Sequence, residues 1–234
     1  MELTARATRK YSFGKSLSAM AAPILALTLL AGCAQQEVKD EQFSGFLGDY
    51  SGFEQLQAPD GVTVVGWISP DISDNYHSLM IDPAIVYPPE RSFDRFDEAD
   101  VAKALAYLSE GMKDTLGEHM TLVSEPGPGV LRMRSALTTA SVGFKPMKWY
   151  NYVPVSAVAV AAGEATGLRD DGVQLIAEVE LLDSVSSKRV AATARMGSST
   201  VPQGKPVALS NIQPLLDEWI QAAGLWFDRY IAKS

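Results

Sequence analysis

Apolar and polar positions along the chain fall into blocks of different period. The first block is continuous: Ala19 to Ala31 is apolar or small, broken only by Pro23 and Thr28. Residues 34 to 42 are polar and carry no apolar face, so they read as a tether with a reach of about 30 Å when extended. Ser44 to Phe53 (SGFLGDYSGF) is rich in glycine and aromatic residues. It is expected to be a turn-rich segment whose side chains dock on the domain that follows. Val62 to Ile68 has strand character, as does Ser78 to Tyr87, which Pro83 interrupts.

Helical period begins at Asp97. Val101, Leu105, Leu108, Met112 and Leu116 fall on one stripe, which predicts a helix over Asp97 to Gly117. Glu98 and Asp100 in its first turn complement the helix dipole, and Gly117 is placed to close it. Met120 to Ser124 and Val130 to Val142 are expected strands on either side of a Pro-Gly-Pro-Gly turn. Val153 to Thr166 alternates valines but is rich in alanine, and its length favours a small-faced helix. A hairpin is expected from Val173 to Asp183 and Arg189 to Gly197. Matching Val173, Leu175, Ala177, Val179 and Leu181 to Val190, Ala192, Ala194 and Met196 on one face sets Glu178 opposite Arg195. A last amphipathic helix begins near Ser210 and turns Leu215, Leu216, Trp219, Ile220, Trp226, Phe227 and Tyr230 inward. The expected fold is α/β of the α+β kind: a single domain with a mixed or mainly antiparallel sheet covered by about three helices.

Charge changes the reading of the first block. Arg6, Arg9, Lys10 and Lys15 precede or border it, against Glu2 alone. The stretch is too short for a stable membrane span, which needs about 20 apolar residues, and has the length of a signal-peptide core. It ends in Leu30-Ala31-Gly32-Cys33, which resembles the lipobox of bacterial lipoproteins. The resemblance implies cleavage before Cys33 and acylation of its thiol and new amino group with diacylglyceryl and palmitate-type chains. Residues 1–32 are thus expected to be a cleaved leader, 33–43 a lipidated tether and 44–234 the globular domain. Cys33 is the single cysteine, so no disulfide forms within the chain. Ala34 in place of an aspartate favours the outer membrane, with the domain facing the periplasm.

Removing the four basic residues and one acidic residue of the leader from totals of 20 and 28 leaves 16 against 27, a net charge of −11 on the mature chain. Such a surface suits solubility and is a poor partner for nucleic acid, whose binding rests on phosphate neutralisation.

The runs SGFLGDYSGF (44–53), Ile81-Asp82-Pro83 and AEVELLDSVSSKRVAA (177–192) together resemble a family of bacterial lipoproteins catalogued as domain of unknown function 3313. The resemblance spans nearly the whole mature chain and implies an exported lipoprotein domain, with no activity or catalytic residue to carry over. The order of strands and helices is also similar to small α/β lipoproteins that assist envelope assembly, a likeness that does not fix function.

Candidate chemistry is sparse. The chain has no G-x-S-x-G elbow, H-E-x-x-H, Walker loop or C-x-x-C. His119 follows a helix end, where a cation is favourable electrostatics. His77 is flanked by Asp71, Asp74 and Asp82, and a carboxylate that orients a histidine is the core of many general-base sites. His77, Asp74 and Asp82 are therefore the weak catalytic candidates, beside the reading of His77 as a solvated loop residue. Asp94, Asp97, Glu98 and Asp100 lack the spacing and glycine of a calcium loop and read as helix-start carboxylates. No metal or cofactor is expected. Arg132 and Arg134 share the polar face of one strand, Glu178 and Glu180 that of another, and cross-strand ion pairs between them are expected. Phe144, Met147, Trp149, Tyr150 and Tyr152 crowd the segment FKPMKWYNY and are the interface candidates, for an envelope protein partner. Two function classes follow: a non-catalytic binding or envelope-assembly module on the outer membrane, or a small periplasmic hydrolase or ligand-binding enzyme built on His77.

Overall fold

The protein is seen in a computed structural model that describes residues 43–70, 72, 76–144 and 170–231, with Phe144 described for its backbone alone. Contacts divide the chain into Met1–Cys33 and Ala34–Ser234, and the second unit holds all the described core residues. Its elements in chain order are β1 (Glu54–Gln57), β2 (Thr63–Ile68), β3 (Ser78–Ile81), β4 (Ile85–Val86), α1 (Glu98–Gly117), β5 (Thr121–Leu122), β6 (Val130–Phe144), β7 (Asp170–Asp183), β8 (Arg189–Pro202) and α2 (Leu209–Tyr230). The strands form one mixed sheet in the order β1-β2-β8-β7-β6-β3-β5, with β4 also paired to β6. The described residues hold two helices rather than about three, because the third expected one, Val153–Thr166, lies outside them.

Both described helices start where the sequence places them. Asp97 caps α1 by accepting from the Ala99 N–H at 2.9 Å. The start of α2 is held by Asn211, whose side-chain oxygen accepts from the Ala208 N–H. Gly117 is the last residue of α1, but the capping position beyond it is taken by Glu118 in right-handed helical geometry, so the glycine does not serve as a left-handed cap. The two helices pack together with no room for a side chain at Gly111, where an added Cβ would lie 2.4 Å from Ile220 Cδ1. They cover one face of the sheet. Leu108, Met112 and Leu116 meet Leu131, Met133 and Leu181, while Leu215 and Trp219 meet Val173, Leu175 and Ala177.

The strands flanking the Pro-Gly-Pro-Gly turn do not pair with each other. β5 is only two residues long and pairs with β3, which lies between it and β6; both of these pairings are parallel. The β7–β8 hairpin is present but its register corrects the sequence expectation. Glu178 lies opposite Ala194, and Arg195 lies opposite Ala177. Ala192, Ala194 and Met196 therefore share a face with Ile176, Glu178 and Glu180, away from the helices. The expected register assumed one solvated face; here both are buried, so apolar alternation on β8 did not identify the helix side.

The cover on the second face is the segment 43–53. Phe46 and Leu47 pack against Ala136 and Ala192, with Tyr50 and Phe53 beside them. Phe43 and Phe53 pack against Val65, Ile176, Ala194 and Met196. Phe43 stacks on Tyr50 with centroids 4.3 Å apart. The turn-rich segment thus acts as a strap across the back of the sheet.

Candidate functional site

The strap is held by buried carboxylates. Glu178, 0 % exposed, accepts from the Ser44 N–H at 3.0 Å and from the Tyr50 hydroxyl at 2.5 Å. Burial first, and then the bond to Glu178, raises the Tyr50 pKa. Glu180, 4 % exposed, takes Arg134 at 2.7 Å and Arg189 at 3.3 Å on its two oxygens. Arg189 continues outward and donates to the carbonyls of Leu47 and Asp49. Of the expected cross-strand ion pairs, Arg134–Glu180 is present between directly opposed residues of β6 and β7. Arg132 instead grips both oxygens of Asp82, at 2.7 to 3.1 Å, and Glu178 serves the strap.

That grip bears on the catalytic candidates. Asp82 is held by a guanidinium, and the partner that the His77 ring has among the described residues is Ser78, with Nδ1 3.0 Å from Oγ. Gly129 leaves room for the ring, since an added Cβ there would lie 2.3 Å from His77 Nε2. Asp71 and Asp74 lie outside the described residues. His119 Nδ1 lies 3.0 Å from Asp228 Oδ1, joining the ends of α1 and α2. Asp97 is spent on its cap and Asp100 pairs with Lys103, and the described residues contain no metal-binding group. Cys33, Met147, Trp149, Tyr150, Tyr152 and the Phe144 side chain all lie outside the description.

The feature that sequence reasoning missed is an apolar groove on the helix side. Helix α2 packs on β8, and the β1–β2 wing extends beyond it. A cavity of about 140 Å³ runs between them. Its floor includes Val64, Ile68, Ala191 and Thr193, and its wall Ala222, Ala223, Trp226 and Tyr230. It reaches Leu108 and Met112, both buried on α1, and opens at the exposed Gln57.

Arg195 is the cation in this lining. One of its terminal nitrogens meets Asp60 Oδ2 at 2.5 Å, while its Nε is buried and has no acceptor among the described residues. A buried donor left without a partner costs roughly 1–3 kcal/mol. The helix-facing positions of β8 explain how the space arises. They read Ala191, Thr193, Arg195 and Gly197, so small side chains leave the floor low. The groove can enclose an apolar group. The available signal was Arg195 itself, a cation set among small residues of a strand that is buried on both faces.

Residues 42–223 match a family described as protein of unknown function DUF3313. The relative named uncharacterized lipoprotein YdcL in Escherichia coli K12 is 29 % identical over 203 residues, which cover 86 % of this chain and 91 % of that protein. Among solved structures, the PelC dodecamer of Paraburkholderia phytofirmans in space group P6 is 10 % identical with a TM-score of 0.36, covering 74 % of this chain and 99 % of its own. The hypothetical protein CT253 of Chlamydia trachomatis is 10 % identical with a TM-score of 0.37, covering 64 % and 97 %. At TM-scores below 0.5 these two likenesses carry no argument about what the chain does.

Proposed function

Since the chain belongs to the DUF3313 family, we propose that it is a lipoprotein anchored through Cys33 in the outer membrane, facing the periplasm, whose domain is a non-catalytic module that binds an envelope component. Support for the anchor comes from the basic leader, the Leu-Ala-Gly-Cys run and a relative that bears the name lipoprotein. Two or more acyl chains on Cys33 give durable attachment, where a single chain binds reversibly. The tether from Cys33 to Phe43 spans at most about 35 Å, so it keeps the domain within reach of the membrane surface.

The observation that carries the binding reading is the groove: an apolar slot lined mainly by residues of regular elements. Its lining holds an apolar group well and supplies little to attack one.

The test places a photoreactive phenylalanine analogue at Tyr230, on the groove wall, or at Val185, 65 % exposed on the hairpin turn. Irradiation of intact cells should give a reproducible adduct from position 230 that is absent from position 185. Adding Ala223→Phe, which fills the groove, should abolish it, and His77→Ala should leave it unchanged. Equal adducts from both positions, or an adduct indifferent to Ala223→Phe, would overturn the groove as the binding site. Cys33→Ala should also remove the protein from the outer-membrane fraction; retention there would overturn the anchor.

A further inference from the structure

We propose that a second cleft, polar and on the back of the sheet, binds a single monoanionic phosphodiester group; it is separate from the groove and stands or falls without it. Strand register builds its floor. Arg132 of β6 lies opposite Leu182 of β7, which lies opposite Arg189 of β8. A bulge after Leu181 brings Arg189 into that row. Two residues along, Arg134 lies opposite Glu180, and positions two apart on a strand share a face. The strap turn at 46–48 supplies a wall, and the space between is about 570 Å³.

The guanidiniums there are not used up. Arg189 spends all three nitrogens, on Glu180 and on the strap carbonyls of Leu47 and Asp49. Arg132 turns Nε and Nη2 to Asp82, and Arg134 turns Nη1 to Glu180. Arg132 Nη1 and Arg134 Nε and Nη2 are left without an acceptor among the described residues, on side chains 41 % and 37 % exposed. Three cations thus meet two carboxylates, Glu180 and Asp82. Asp49 gives its carboxylate to the Ser51 N–H and lies outside the lining. One positive charge is left over, which suits one monoanion. A tetrahedral phosphodiester can accept from two guanidiniums at once, where a planar carboxylate is filled by one fork. A polyanion such as nucleic acid would instead meet the rest of a chain whose net charge is −8.

The test uses the acylated protein in micelles of a neutral detergent, titrated with glycerophosphoglycerol, a soluble phosphodiester. The Nε–H NMR signals of Arg132 and Arg134 should shift together and saturate. That of Arg95, which donates to the Lys205 carbonyl, should stay fixed. Acetate carries the same charge and should bind about tenfold more weakly for want of a second fork. Arg132→Lys keeps a cation for Asp82 but loses the fork, and should weaken the phosphodiester about tenfold. Ser187 lines the cleft at φ 58, a conformation that Asp and Asn tolerate. Ser187→Asp should weaken binding at least about tenfold by repulsion, and Ser187→Asn should leave it unchanged. Both variants spare the arginine–carboxylate anchors of the strap, so a folding defect cannot imitate the difference between them.

Doping the micelles with phosphatidylglycerol separates two sources of the group. Saturation at a lower phosphodiester concentration than the soluble probe needs supports the site and identifies a lipid headgroup. Saturation at the same or a higher concentration supports it and identifies a free glycerophosphodiester. Equal affinity for acetate, a response at Arg95 as large as at Arg132, or binding that survives Ser187→Asp would overturn the site.

Discussion

The two faces of the sheet are both buried, and they are buried by different physics. On the helix side, two amphipathic helices lay down long apolar side chains such as Leu116, Leu215 and Trp219, and their packing leaves a groove against the β1–β2 wing. On the back, the eleven residues Phe43 to Phe53 have too little surface to act as a layer, so aromatic contacts are supplemented by charged anchors. Glu178 holds the strap's N–H and hydroxyl, Glu180 holds Arg189, and Arg189 holds the strap's carbonyls. Buried carboxylates are tolerated here because each has hydrogen-bond or ion partners, and removing a partner would leave an uncompensated charge. The comparison assigns closure to the back and capacity to the front.

Several perturbations would break or sharpen that contrast. The largest effect is expected from Leu175→Ala on the helix side, where a side chain that is 0 % exposed leaves a cavity. Urea unfolding should show a loss of about 3 kcal/mol. Next comes Glu178→Ala, expected to cost about 2 kcal/mol because it removes charge-assisted bonds and leaves strap groups unpaired. Its signature is local: amide exchange should accelerate across residues 43–53 more than across α1. Uniform acceleration would mean that the strap is not a separable element.

A third test compares added volume on the two faces. Ala194→Leu, at a position fully buried beneath the strap, should cost about 1–3 kcal/mol by overpacking. Ala223→Phe, facing the groove, should change stability by less than about 1 kcal/mol. The smallest effect is alkaline. The Tyr50 pKa is raised above 10, so the folded state retains that proton more strongly than the unfolded chain. The associated stability is present below pH 10 and lost as pH rises through the folded value. Tyr50→Phe should make the decline shallower without removing it, since Tyr76 and Tyr107 are shifted in the same direction.

Legibility in the sequence followed the same division. The helices could be read because each has one apolar stripe and a start signal, Asp97 for the first and the polar Ser210-Asn211 for the second. The aromatic strap could also be read as a docked segment. The hairpin register could not, because alternation identifies a face only when the other face is wet. Ala192 and Ala194 read as a core face and are one, but it is the face under the strap. Glu178 and Glu180 read as solvated and are almost fully buried. The groove was missed for a related reason: Ala191, Thr193, Ala222 and Ala223 each look like ordinary filler, and only their convergence from β8 and α2 makes a space. His77 and Asp82 illustrate the converse, since nearness in sequence did not bring them together once Arg132 had taken the carboxylate.

The most direct test of front-face capacity and back-face closure uses three methionine methyl groups. Met112 and Met133 line the groove, and Met196 lies beneath the strap. In a titration of methyl-labelled protein with benzene, an apolar probe matched to a cavity of this size, the Met112 and Met133 signals should shift together and saturate while Met196 stays fixed. A shift centred on Met196, or none at Met112 and Met133, would contradict the assignment of binding to the helix side.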